Sequence, residues 1–152
     1  MEENILEIKN LSKSFQGNKA LKNVSLSIPK GKIVGLLGPN GSGKTTLIKI
    51  VNDLIHDYTG QVLVCGKEPG IESKKIISFL PDTLHLDENS TPLQNLTFFA
   101  DFYSDFNKEN ALKLFQQLEI DIKKPIKSLS KGTKEKVALS LIMSRHFFHT
   151  DE

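Results

Sequence analysis

Eight consecutive residues, Gly38-Pro39-Asn40-Gly41-Ser42-Gly43-Lys44-Thr45, limit what this chain can fold into more than any others do. They match the pattern G-x-x-x-x-G-K-[ST], and each fixed position answers a physical need. A polyphosphate held by a protein gives up part of its hydration, so other donors must replace the lost water. Consecutive backbone N–H groups do this only where the chain turns tightly and approaches closely. Gly41 and Gly43 permit such a turn because they carry no Cβ. A helix starting at the loop aims unpaired N–H groups and the positive end of its dipole at the anion. Lys44 brings a full charge to the terminal phosphates, and the Thr45 hydroxyl is suited to Mg2+. The flanks have the order this requires. Apolar Ile33-Val34-Gly35-Leu36-Leu37 reads as a strand entering the loop, and 46–55 as a helix with Leu47, Ile50, Val51, Leu54 and Ile55 on one face. A nucleotide-binding site is the expectation.

The remaining composition narrows the class of protein around that site. A length of 152 residues suits one domain or a piece of one. The 20 basic and 18 acidic residues leave a net charge of +2. They are spread along the chain, so a nucleic-acid partner, which draws a concentrated basic face, is not expected. No window approaches the roughly eighteen apolar residues of a membrane span. Met1-Glu2-Glu3-Asn4 is acidic and lacks the charged-then-apolar order of a signal peptide, so a cytoplasmic protein is expected. The one cysteine, Cys65, cannot form an internal disulfide; in its apolar run it reads as a small buried residue.

Ile5 to Lys9 alternates as a half-buried strand does, and so does Val24-Ser25-Leu26-Ser27-Ile28. Gln61-Val62-Leu63-Val64-Cys65 and Ile76-Ile77-Ser78-Phe79-Leu80 read as two further strands. The early chain is therefore an antiparallel layer beside a parallel core. Phe15, between the first two strands, is open to two readings: a core aromatic, or a platform on which a nucleotide base stacks. From Thr91 the pattern turns helical. Pro92 suits a first helical position, followed by Leu93, Leu96, Phe99, Ala100 and Tyr103 at three- and four-residue intervals. A second helix starts near Asn107, a plausible N-cap, with Leu112, Phe115, Leu118 and Ile122 as its stripe. A third runs from about Thr133 to Arg145, with Val137, Leu141 and Ser144 on one face. The predicted divisions are 1–81 for the β layer and loop core, 82–147 for a helical subdomain, and 148–152 for a tail.

With these parts in place the sequence resembles the ATP-binding subunit of ABC transporters from about Leu6 to Arg145. The likeness lies in Gly38 to Thr46 (Gly-Pro-Asn-Gly-Ser-Gly-Lys-Thr-Thr), in the lead-in Lys30-Gly31-Lys32-Ile33-Val34-Gly35-Leu36, and in Ser14-Phe15, which falls where that family stacks an aromatic on adenine. The fold it implies is α/β: a P-loop NTPase core with an antiparallel β layer and a helical subdomain. The implied ligands are ATP and Mg2+, and the implied role is to couple MgATP binding and hydrolysis to transport. Implied partners are a transmembrane subunit and a second ATP-binding subunit in a head-to-tail dimer, which would hold the chain at the inner face of the plasma membrane. Leu129-Ser130-Lys131-Gly132-Thr133 takes the place of the signature loop Leu-Ser-Gly-Gly-Gln, where Ser130, Lys131 and Gly132 would meet ATP held by the opposite subunit. Lys131 and Thr133 depart from that pattern; the alternative is an ordinary helix start.

Asp82 falls where the family has a glutamine that ligands Mg2+ and senses the membrane partner. A carboxylate can ligate Mg2+ in its stead, and the alternative is a turn aspartate after Pro81. After the signature helix the family requires an apolar strand ending in Asp-Glu, then a histidine switch. Here the chain reads His146-Phe147-Phe148-His149-Thr150-Asp151-Glu152. That terminal pair stands about two residues too close to the signature and follows no apolar strand. The expectation is a cassette lacking its C-terminal strands, with a reading-frame break after Arg145 and no catalytic residue of its own. Such a chain binds MgATP weakly and does not turn it over, and Ile33 to Leu37 becomes an unpaired apolar edge. Two other readings stay open: a non-catalytic nucleotide-binding fragment, and a soluble ABC-type ATPase.

Overall fold

Alternation of apolar and polar side chains sets the first half of the structure. In the computed structural model, which describes residues 3–81 and 86–145, β1 (Asn4–Phe15) and β2 (Asn18–Pro29) form an antiparallel hairpin, and β3 (Thr59–Val64) pairs antiparallel with the other edge of β1. The strand order is β2-β1-β3. Ile8, Leu11, Leu21 and Val62 lie on one side of this sheet. Leu47 and Ile50 of α1 (Lys44–Val51) join them to complete a core. A short helix, α2 (Ile71–Ile76), follows, tied at its start by hydrogen bonds between Ser73 Oγ and the backbone of Gly70.

The chain divides into two units, Met1–Ile77 and Ser78–Glu152. The second is helical. In α3 (Pro92–Phe102) the Thr91 hydroxyl accepts from the Gln94 N–H at 3.2 Å while Gln94 Oε1 accepts from the Thr91 N–H at 2.8 Å. These reciprocal bonds satisfy two donors that a helix start otherwise leaves bare, and Pro92 loses nothing at the first helical position. In α4 (Lys108–Gln117) Asn107 caps the N–H of Asn110 at 2.9 Å, as the sequence predicted. A 3-10 turn, Ile126–Ser128, leads to α5 (Lys131–Met143). Leu96, Phe115, Val137 and Leu141 close the core of this unit. Val137, Leu141 and Ser144 are all buried, as their spacing required, whereas Leu93 and Leu112 of the predicted stripes face outward.

Several expectations need correction. The strands predicted over Ile33–Leu37 and Ile76–Leu80 do not form: 33–37 is irregular, and Ile76 ends α2 before an irregular 77–81. Ile33 and Leu37 are fully exposed, so in place of the unpaired strand edge anticipated for this run there is an exposed irregular apolar segment. A strand holds its shape through ladder bonds to its neighbours, and among the described residues neither segment has one. Consequently the parallel core is not formed among the described residues, and the antiparallel layer is. The helix after the loop stops at Val51 rather than Ile55, because the backbone turns to positive φ at Asp53 and carries Leu54 outward. Cys65 is exposed rather than buried: β3 ends at Val64, and Cys65 begins the turn closed by the Lys67 N–H to Val64 C=O bond of 3.0 Å.

Candidate nucleotide site

The phosphate-type loop runs from Gly38 to the start of α1. Pro39 and Ser42 close a turn through a 3.2 Å backbone bond, and α1 starts immediately after it. Gly43 precedes the helix at φ 92°, in the left-handed region. A Cβ built there would stand 2.4 Å from the Ala20 carbonyl oxygen and 2.8 Å from Leu21 Cδ2, so β2 and the loop touch at a point only glycine allows. A Cβ at Gly38 would stand 2.7 Å from Ser42 Oγ. Helix α1 opens with no side-chain cap. Its first N–H groups are the orphan donors that an anion satisfies.

Lys44 lies back over this cradle. Its ammonium donates to the carbonyls of Gly38 at 2.7 Å and Pro39 at 2.8 Å, with Ser42 Oγ at 3.5 Å. The positive charge is thus held at the mouth of the loop, where a phosphate would meet it together with the helix N–H groups. Thr45 is exposed at the first turn and Thr46 half-buried beside it. The donor set suits a polyphosphate: backbone N–H groups, one ammonium, and no carboxylate between Gly38 and Thr46. Thr45 offers a hydroxyl suited to Mg2+, an ion that keeps several waters and phosphate oxygens among its ligands and so asks little of the protein. Asp82, the other predicted Mg2+ ligand, lies outside the described residues, as do Asp151 and Glu152.

Phe15 ends β1 and is 45% exposed, which removes the core reading of this ring. Sequence reasoning passed over its neighbour Lys13, which is 5% exposed and sits with its ammonium 4.6 Å from the Phe15 ring centroid. The signal was present, since residues two apart in a strand share a face.

In the C-terminal unit, Ser130 caps α5. Its Oγ accepts from the Thr133 N–H at 3.2 Å and lies 2.8 Å from Thr133 Oγ1. Ser130, Lys131 and Gly132 are all exposed, and the Lys131 ammonium reaches Glu135 at only 4.0 Å. The same unit carries a cleft of about 600 Å³ lined by Leu86, Asp87, Glu88, Gln94, Phe98 and Phe99. Phe98 is 64% exposed and Phe102, stacked on it at 6.1 Å, is 68% exposed.

Four carboxylates titrate below their ordinary range. The hydrogen bond from Lys74 does this to Asp53, that from Lys75 to Glu72, the Ser90 hydroxyl to Asp87, and the Lys123 backbone N–H to Asp121. A group that takes a proton from water near neutral pH needs the opposite displacement.

A glycine-entered, uncapped helix start with a lysine over it is common to many nucleotide-binding proteins, and comparison with known proteins decides among them. The family model described as ABC transporter matches residues 21–149. This chain belongs to the ABC transporter ATP-binding family. It is 36% identical over 141 residues to the ABC transporter ATP-binding protein YtrB of Bacillus subtilis strain 168, covering 90% of this chain and 48% of that protein. It is also 36% identical over 155 residues to the zinc import ATP-binding protein ZnuC of Wigglesworthia glossinidia brevipalpis, covering 99% of this chain and 62% of that one. The chain thus spans about half the length of these relatives. A solved structure titled as a putative ABC transporter ATP-binding protein from Pyrococcus furiosus superposes with a TM-score of 0.79 at 30% identity, over 92% of this chain and 70% of the other. ATP is the ligand this family binds, and the P-loop NTPase fold is thereby established. No helix among the described residues is long and apolar enough to cross a membrane.

Proposed function

We propose that this chain is the ATP-binding subunit of an ABC transporter, taking MgATP at Gly38 to Thr46 and passing the resulting motion to a membrane partner. The observation that carries this reading is the loop itself: an uncapped helix start entered through Gly43, with the Lys44 ammonium held across it. On binding, the ammonium exchanges two carbonyl partners for phosphate oxygens, and the orphan N–H groups of α1 complete the anion's shell. The Thr45 hydroxyl would hold Mg2+ beside those phosphate oxygens. Phe15 supplies the surface for the base. Ser130, Lys131 and Gly132 would present N–H groups and charge to the ATP of a second ATP-binding subunit.

Phosphoryl transfer depends on positioning, charge stabilisation and an oriented water. The loop supplies the first two. It supplies no base toward the water, since Gly38 to Thr46 holds neither a carboxylate nor an imidazole. We therefore propose that a polypeptide of these 152 residues binds MgATP weakly and releases no phosphate above the protein-free blank. In the same titration, Lys44→Ala should weaken binding ten- to hundredfold, the worth of a charge-assisted contact at about 1.5–3 kcal/mol. Equal affinity in the variant would exclude the loop as the ATP site, and steady phosphate release would exclude the non-catalytic reading.

The exposed aromatic face of α3 and the adjoining cleft support a membrane partner seated on this unit. Phe98 and Phe102 are large, apolar and outward, which is the composition of an interface rather than of free surface. Phe98→Asp places a charge at its centre and should strip the chain from membranes bearing its transporter. Unchanged co-sedimentation would rule out α3 as the seat.

A further inference from the structure

We infer that Lys13 is a positioning residue that backs Phe15 as a nucleobase platform, an inference that rests on the ATP-site reading above. Ile8 and Leu11 are both buried although they stand three apart, an odd spacing for one face of a strand. The register slips between them, and Asn10 takes φ 52°. This bulge returns β1 to its core-facing side, so Leu11, Lys13 and Phe15 follow one another on a single face. Lys13 thereby occupies a position where Leu or Met would serve for packing.

A lysine near a rim ordinarily runs its stem along apolar surface and puts its head in water. Here the side chain is 4% exposed and the ammonium stays inside. It donates to Asp57 Oδ2 at 2.6 Å and lies over the Phe15 ring at 4.6 Å. The Asp57 carboxylate is itself out in solvent, so it tethers the ammonium from the edge of the sheet. One face of the ring is thus covered by a cation, while much of the ring remains open.

Two consequences follow for a base. The ring cannot swing toward the space Lys13 fills, so its free face is presented in one orientation. The cation also draws on the ring's negative face, which makes the opposite face less negative and a better partner for an electron-rich purine. The phosphate loop is close in the fold. Lys13 is the register partner of Leu21, and it is Leu21 and the Ala20 carbonyl that abut Gly43. One pair of β2 residues therefore touches the loop while its register partner holds the platform.

The test compares MgATP with Mg-tripolyphosphate, which has the phosphates and no base, titrated into the 152-residue chain. Phe15→Ala should cost MgATP about five- to hundredfold in affinity, the range of base–aromatic stacking, and leave tripolyphosphate unchanged. Lys13→Met, which keeps the stem and removes the charge, should cost MgATP about two- to fivefold, again without change to tripolyphosphate. A loss shared equally by both ligands makes Lys13 a purely structural residue and overturns the inference. So does unchanged MgATP affinity in Lys13→Met alongside a base-selective loss in Phe15→Ala. No base-selective loss in Phe15→Ala removes the platform reading itself. Should Lys13→Met not fold, Asp57→Ala decides: it removes the solvent-exposed acceptor that tethers the ammonium, and absence of a base-selective loss there overturns the inference.

Discussion

Gly43→Ala is expected to lower both the unfolding temperature of the N-terminal unit and its affinity for MgATP. Two separate penalties meet at this residue. At φ 92° an L-residue sits outside its ordinary regions, which costs of order 1–3 kcal/mol. The added methyl would also stand 2.4 Å from the Ala20 carbonyl oxygen, a backbone atom that moves only if β2 moves. Overpacking of this kind typically costs a further 1–3 kcal/mol or so. The loop can relieve the contact by retreating from β2, but then the N–H groups at the head of α1 no longer converge on the site. Both routes damage binding, and only the first damages stability fully. The check is a thermal melt followed by circular dichroism, beside a MgATP titration by equilibrium dialysis. Wild-type values in both would mean that the close approach of loop and β2 is not a feature of this protein.

Phe115→Ala is expected to destabilise the helical unit by about 3–5 kcal/mol, the usual cost of deleting a buried phenyl ring and leaving a hole. Phe115 is 1% exposed and lies in the same core cluster as Leu96, Ala111, Val137 and Leu141, contributed by α3, α4 and α5. No neighbour on a rigid helix can collapse far into the space it leaves. In a unit of this size such a loss shifts the melting temperature by more than about 10 °C. Leu112→Ala on the exposed side of the same helix is the matched control, and its effect should stay within about 0.5 kcal/mol. Equal shifts for the two variants would show that α4 is not packed through Phe115.

Much of the fold was legible because its signals are local. A helix start at Pro92, an Asn107 cap and an alternating pair of strands depend on residues within a turn or two of each other. The structure reproduces them. The misreadings have one origin. Ile33–Leu37 and Ile76–Leu80 are apolar runs of strand length, and strand propensity describes how well a segment fits a sheet that already exists. Among the described residues no parallel sheet forms for them to join, so 33–37 is irregular and, once Ile76 has ended α2, so is 77–80. Cys65 was misjudged for a related reason, since the place where a strand ends is decided by its partner.

The sequence by itself determined the loop pattern from Gly38 to Thr46 on which the proposed ATP site rests, because its chemistry resides in an unbroken run of backbone and one lysine. It also determined the family, whose motifs are equally contiguous. Only the tertiary structure decided that Phe15 is an open ring rather than a core aromatic, and that Lys13 turns inward beneath it. A bulge at Asn10 sets which face of β1 looks at the core, and Asp57 arrives from another part of the chain. Contacts between residues 44 apart in sequence leave no periodic trace in the chain; they exist only once the sheet is closed.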